Sequence, residues 1–324
     1  MTHKQYPIGT PFTPASTAED VLAGINLAGR NAIVTGGHAG IGLEVTRALA
    51  RAGASVTVAA RDPGRAADAL AGVERVEVAR LDLIDPRSIE DFAVGWLGSA
   101  RPLHILINNA GASGGPERDA RGYEMKFATN HLGHFQLTLA LLPALRAAQG
   151  ARVVNVSSGA QRFGTIRWDD PSFTTGYNGR AAYAQSKLAN VLFAVELDRR
   201  WAADGVRGYA VHPGVVVGTK LNSAAGEEAL RQMGLIDEAG EPIIDPAVGK
   251  KTPGQGASTV VFAATSPLLA GIGGVYLKDN DISPLDDEPR QLTAECIPSE
   301  AASHSIDPKD AERLWALSER LLAA

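Results

Sequence analysis

Seven short apolar runs recur along the chain: NAIVT at 31–35, SVTVAA at 55–60, VEVARL at 76–81, LHILIN at 103–108, RVVNV at 152–156, VRGYAV at 206–211 and GVYL at 274–277. Most are continuously apolar rather than alternating, as strands buried on both faces of a parallel sheet are. Between them apolar residues fall at helical spacing, at 41–52, 65–71, 86–97, a long 122–148, 180–203 and 255–264, with an amphipathic stretch at 307–322 near the end. The alternation predicts an α/β fold, a doubly wound parallel sheet of seven strands flanked by helices. The stretch 260–277 carries no charge, but Pro267 and the glycines after it break any membrane-spanning helix, so a helix, a turn and a strand are expected there.

No repeat, low-complexity tract or Pro/Gly/Ser linker divides the chain, and its motifs run from residue 35 to beyond 210. One domain over 29–324 is expected, after an arm at 1–28 that contains a capping-box pattern, Ser16-x-x-Glu19. Insertions near 159–182 and 220–254 and a C-terminal extension at 279–324 complete the outline. With 45% hydrophobic and 21% charged residues among 324, disorder and coiled coil are excluded as the main architecture. The net charge of -5 leaves no basic field for nucleic acid. A single cysteine, Cys296, rules out an internal disulfide framework and a cysteine zinc cluster, and it reads as an ordinary side chain in a reducing compartment. The opening MTHKQYPIGTPFTP lacks the apolar core of a secretory signal, so a cytoplasmic location is expected.

The first run ends in Thr35-Gly36-Gly37-His38-Ala39-Gly40-Ile41-Gly42 and opens directly into a helix. Gly36 permits a sharp turn, Gly40 lets backbone approach a pyrophosphate, and Gly42 permits close helix–strand packing at a helix N-terminus that favours anions. This context predicts dinucleotide binding on a Rossmann-type sheet, with Ile41 beside the glycines. The spacing is G-x-x-x-G-x-G. An acid at the end of the second strand would bind the adenosine ribose hydroxyls, but the chain has Ala60 and then Arg61. A guanidinium there suits a 2′-phosphate, so NADP(H) is favoured over NAD(H), with His38 either assisting or lying at the surface. Asp82, followed by Leu83, ends the third strand and either meets adenine or caps a helix. Asn108-Asn109-Ala110-Gly111 closes the fourth beside the expected crevice.

Tyr183 and Lys187 stand four residues apart in a helical stretch, hence on one face. A free phenol is ionised to about one part in a thousand at neutral pH, and a nearby cation lowers such a value by about 1–3 units. Tyr183 can therefore act as proton donor to a carbonyl, or as acceptor from an alcohol, while hydride moves to or from nicotinamide. Ser158, in Val156-Ser157-Ser158-Gly159, would hold the same oxygen, and Ser157 is the weaker candidate.

Together T-G-x-x-x-G-x-G, N-N-A-G, V-N-V-S-S, Y-x-x-x-K and H-P-G at His212-Pro213-Gly214 resemble the single-domain short-chain dehydrogenase/reductases over about 30–280. The strings M-K-F-A-T-N-H-L-G-H-F, S-K-L-A-N and H-P-G-V-V are similar to the retinol dehydrogenase and WW-domain oxidoreductase branch, and the arm is similar to that of plant members related to a chloroplast envelope dehydrogenase. The resemblance implies a tetrad of Asn130, Ser158, Tyr183 and Lys187, with Asn130 interrupting its helix and holding a water that reaches Lys187. It also implies that Lys187 binds the nicotinamide ribose and that Pro213, Gly214 and Val216 contact the nicotinamide amide. A homodimer or homotetramer through the Tyr183 helix and its predecessor is implied too, unless the C-terminal extension blocks that face. One departure is that Val217 and Gly218 displace Thr219 one place from the usual position.

The apolar residues Phe163, Trp168, Phe173, Leu221, Leu230 and Met233 suggest an apolar or aromatic carbonyl substrate, or else loops packing on themselves. Arg162 and Arg167 either meet an anionic substrate or lie as surface charges. His131 and His134 are expected to pack on a helix surface rather than bind metal, so no metal site is predicted. The resulting expectation is an NADPH-dependent reduction of a small-molecule ketone or aldehyde, or the reverse alcohol oxidation. The alternatives are a non-catalytic dinucleotide-binding regulator and a sugar-nucleotide epimerase or dehydratase.

Overall fold

The seven apolar runs form seven parallel strands in the computed structural model, which describes residues 4–216 and 226–323. They are β1 (Asn31–Thr35), β2 (Ser55–Ala60), β3 (Val76–Arg80), β4 (Ile105–Asn108), β5 (Ala151–Val156), β6 (Val206–His212) and β9 (Val275–Lys278), while β7 (Val215–Val216) and β8 (Lys250–Lys251) make a separate ribbon. An eighth strand, β10 (Asp281–Ile282), pairs antiparallel with β9, giving the order β10-β9-β6-β5-β4-β1-β2-β3. The sequence reading stopped at seven. The signal for the eighth is the turn Asp279-Asn280, both at positive φ, a conformation that Asp and Asn tolerate and that matches hairpin twist. The strand order reverses at β1, between β2 and β4, and this places a crevice beyond the C-terminal strand ends.

Helices cover both faces. Ala18–Leu22, Gly40–Arg51 and Pro253–Thr265 bury Val21, Leu49 and Phe262 on one side. Pro86–Gly98, Gly133–Ala140 and Gly179–Trp201 bury Phe92, Phe135 and Phe193 on the other. The first helix starts one residue later than the pattern suggested: Thr17 is its N-cap, and Asp20 closes the capping box. The long helix expected over 122–148 is broken. It runs as Met125–Phe127, a π-helical turn Ala128–Leu132, then Gly133–Ala140 and Leu142–Ala147, the last carrying Pro143 in its first turn.

Both termini pack on this frame. The buried Gln5 side chain bonds the backbone of Tyr276 and Ser283, so the arm covers the β9–β10 edge. The Pro308–Ala323 helix lies on Gly179–Trp201, with Trp315 wedged against Phe135, Phe193 and Trp201 at 4.9, 5.9 and 5.3 Å between ring centroids. Among the described residues no helix is long and apolar enough to cross a membrane.

Candidate active site

A cleft of about 970 Å³ opens at the C-terminal strand ends. Gly36 turns at φ +64°, and a Cβ on Gly42 would stand 2.5 Å from the Asn109 amide nitrogen, so the loop closes tightly on the β4 turn. Gly36, His38, Gly40, Ile41 and Gly42 line one end of the cleft; Asp82 and Leu83, and then Asn109, Ala110 and Gly111, line its wall. Thr35 ties these parts together, its hydroxyl accepting from the Asn109 and Ala110 backbone N–H groups at 2.9 Å each.

Arg61 reaches the same cleft from the end of β2, and Arg65, one turn on, joins it. The adjacent Asp62 caps its own helix, accepting from the Arg65 N–H at 3.1 Å. Asp82 likewise accepts from the Ile84 N–H at 3.3 Å. Arg65 was missed by sequence reading, because its place depends on the helix that begins at Pro63.

At the other end the Gly179–Trp201 helix presents Tyr183 and Lys187 to the cleft, and Ser158 faces them from the end of β5. Burial raises the Tyr183 phenol above its ordinary value, and a hydrogen bond from the Ser158 hydroxyl pulls the other way. The Lys187 ammonium stands 5.7 Å from the Tyr183 ring centre and donates to the Val156 carbonyl at 3.1 Å. Burial brings Lys187 down to about 8. The sequence-level expectation of a phenol lowered by its cation is therefore not what this geometry shows: desolvation dominates both groups. Ser157 is turned away, its hydroxyl donating to the Lys187 carbonyl at 2.7 Å.

Asn130 does not line the cleft but sits fully buried behind it in the π-helical turn. Its side chain accepts from the Ala112 N–H at 2.8 Å and donates to the Ser186 hydroxyl at 3.0 Å. Pro213, Gly214 and Val216 line the cleft after β6, and Val216 pairs with Lys251 of β8. His212 holds the Ser158 loop, its Nδ1 accepting from the Gly159 N–H at 3.1 Å.

The expected substrate residues are not brought together here. Trp168 packs under Arg313 of the C-terminal helix at 4.1 Å, Phe173 is buried against Tyr177 and Arg167, and Phe163 is 53% exposed. Leu221 lies outside the described residues. Leu230 is buried with Leu235 and Ile236 against Val215, and Met233 is exposed. Arg162 is spent on Glu300 and Asp286, and Arg167 on Asp170. The cleft wall instead includes Ala112, Met125, Thr129 and Val215. His131 and His134, expected at a helix surface, are buried.

A family profile described as short chain dehydrogenase matches residues 30–229. A Streptomyces lividans protein named as an oxidoreductase is 43% identical over 93% of this chain and 100% of its own length. Human retinol dehydrogenase 12 is 38% identical over 92% of this chain and 88% of its own. The RhlG/NADP active-site complex of Pseudomonas aeruginosa superposes with a TM-score of 0.59 at 26% identity, covering 78% of this chain and 95% of that one. A Rossmann-type sheet, a glycine-lined cleft and relatives matched across nine-tenths of the chain lead to one conclusion: this protein belongs to the short-chain dehydrogenase/reductase family and is an oxidoreductase of its retinol dehydrogenase-like branch.

Proposed function

We propose that the protein reduces the carbonyl of an apolar or aromatic aldehyde or ketone with NADPH, and runs the reverse oxidation when the alcohol is in excess. The observation that carries this reading is the meeting of the Ser158 hydroxyl, the Tyr183 phenol and the Lys187 ammonium in the cleft that also holds the glycine loop. A dinucleotide suits that cleft, which is about 970 Å³ and is lined at one end by side-chain-free backbone at Gly36, Gly40 and Gly42. Arg61 and Arg65 at its adenosine end offer two cations to a 2′-phosphate, and the nearby Asp62 is engaged as a helix cap. NADP(H), when bound, supplies or takes up the hydride.

The protein's own groups handle the oxygen and the proton. A phenol raised by burial stays protonated at neutral pH, so Tyr183 enters the reduction as an acid and gives its proton to the carbonyl oxygen. Ser158 donates a hydrogen bond to the same oxygen as negative charge develops there. Lys187, near 8, is charged at neutral pH and favours the phenolate left behind. Asn130 acts from behind, pinning Ala112 and the catalytic helix at Ser186. Met125, Val215 and Val216 give the cleft an apolar wall, consistent with the apolar alcohol in the name of human retinol dehydrogenase 12.

A panel of aliphatic, aromatic and polyene aldehydes and ketones, followed by NADPH absorbance, tests the reading. Turnover of apolar carbonyls is expected. No turnover across the panel, with NADPH bound, would leave a binding protein instead. Self-association through the Gly179–Trp201 helix would have to form over the Pro308–Ala323 helix already packed there, so we propose a monomer in place of the homodimer or homotetramer expected from the family.

A further inference from the structure

His134 is a buried, ionisable side chain that the mechanism above does not use. It lies between two catalytic regions. Its Nδ1 is 3.0 Å from the backbone carbonyl of Asn130, and its Nε2 is 2.8 Å from the Thr35 hydroxyl. A carbonyl only accepts, so Nδ1 must carry the proton. Nε2 is then the acceptor, and the Thr35 hydroxyl donates to it at 2.8 Å in preference to the Ile107 carbonyl, which is 3.4 Å away. That assignment suits Thr35, whose oxygen already accepts from the Asn109 and Ala110 N–H groups. A directed chain results, running from the Asn109–Ala110 turn through Thr35 and the imidazole to the Asn130 carbonyl.

The end of the chain matters because Asn130 lies in the π-helical turn, where the Gly133 N–H bonds back to the Ala128 carbonyl. The turn stands next to the cation: a Cβ on Gly111 would lie 3.5 Å from the Asn130 Oδ1 and 3.9 Å from the Lys187 Nζ. Burial brings His134 down to about 4 against the opposing pull of its hydrogen bond to the Asn130 carbonyl, and the Lys187 cation adds to the lowering. The ring can therefore hold one tautomer at the pH where the enzyme works.

We infer that His134 is a positioning residue, fixed as its Nδ1–H tautomer, that locks the Asn130 turn and the Asn109–Ala110 turn into one frame behind Lys187. The inference rests on the assignment of Tyr183 and Lys187 proposed above. It concerns how the frame is held, not the chemistry of the proton transfer.

Two measurements test it. Ring-nitrogen NMR of the full chain, with His134 assigned by its loss in His134→Asn, should show a protonated Nδ1 and an unprotonated Nε2 at neutral pH. The opposite tautomer, or an averaged signal, overturns the inference, and the tautomer itself is read on the wild-type chain. In kinetics, His134→Phe should lower kcat at least tenfold while the NADPH dissociation constant stays within threefold. His134→Asn places an N–H on the same Cγ but no acceptor at the Nε2 position, so it restores only the Asn130 half of the link and its kcat should fall between the Phe variant and wild type. A kcat within twofold of wild type in His134→Phe, or a wild-type rate in the Asn variant, overturns the inference. Full turnover in Tyr183→Phe would defeat the proposed acid while leaving the tautomer signal untouched, so the two failures are distinguishable.

Discussion

The dinucleotide end of the cleft and its substrate rim are built in opposite ways. The glycine loop, the β4 turn, Ser158 and the Tyr183 helix each leave the end of a sheet strand or lie on a helix packed against the sheet. Their positions follow from local spacing. The rim at 159–178 is instead held by partners more than a hundred residues away: Arg162 meets Glu300, the Gln161 amide donates to the Glu300 carbonyl at 2.7 Å, and Trp168 lies under Arg313. The cleft residues sit on rigid elements, and the rim is a set of loops that the C-terminal extension holds in place.

Acid should produce the largest effect and fall on the catalytic side first. His131, His134 and His212 are pushed by burial to about 3, 4 and 3. Their folded values lie below the ordinary 6.5, so the unfolded chain takes up protons first as the pH falls. The stability they contribute is full above 6.5 and is lost down to about 4 for His134 and about 3 for His131 and His212, at ~1.4 kcal/mol per pH unit for each ring. Urea melts across this range, with proton uptake counted from the slope, measure it. A flat profile between 6.5 and 4.5 would mean that the rings are not buried as neutral groups.

Lys187→Met should cost about 10²–10³ in kcat, since it removes the field that favours the phenolate, while the fold persists. On the rim, Arg162→Met should cost about 1–2 kcal/mol of stability, because it removes the contact to Glu300 and the bonds to the Asp286 and Glu288 carbonyls, while Lys278 and Arg290 still pair the two carboxylates. Against the upward push of burial, the Lys278 ammonium holds Glu300 down to about 2, so that carboxylate stays charged in the variant. Thermal melting reads this, and a loss under about 0.5 kcal/mol would make the pair an ordinary surface contact.

Arg61→Ala should weaken NADPH about 10- to 100-fold and NADH about threefold or less, by loss of charge-assisted bonds to a 2′-phosphate. Equal losses would remove the phosphate argument. The smallest effect is expected from Trp168→Ala, with kcat/KM changed by about threefold or less because the ring serves packing. A tenfold loss there would return Trp168 to the substrate site and erase the contrast drawn above.

That contrast also explains what could be read from sequence. The strands were legible because burial on both faces leaves continuous apolar runs, and the glycine loop because positive φ and close approach select Gly36 and Gly42. The expected cofactor residues from Gly36 to Gly111 and from Pro213 to Val216 line the cleft from positions close to strand ends, and Tyr183 and Lys187 reach it from a helix packed on the sheet. The break at Asn130 was invisible to periodicity: a π-turn adds one residue to a helix without changing its composition. Trp168 and Phe173 misled because an aromatic side chain in a loop looks the same whether it meets a substrate or Arg313. The two histidines pack as expected, but how deeply was not legible because their partners, Thr35 and Ser318, lie 99 and 187 residues away.

The central claim is that the phenol of Tyr183 moves the proton. Its most direct measurement compares Tyr183→Phe with wild type for single-turnover reduction of an apolar aldehyde, with NADPH affinity titrated on the same samples. The account predicts turnover lowered by about 10²–10⁴ with affinity within threefold. Turnover within threefold of wild type, with NADPH still bound, would contradict it.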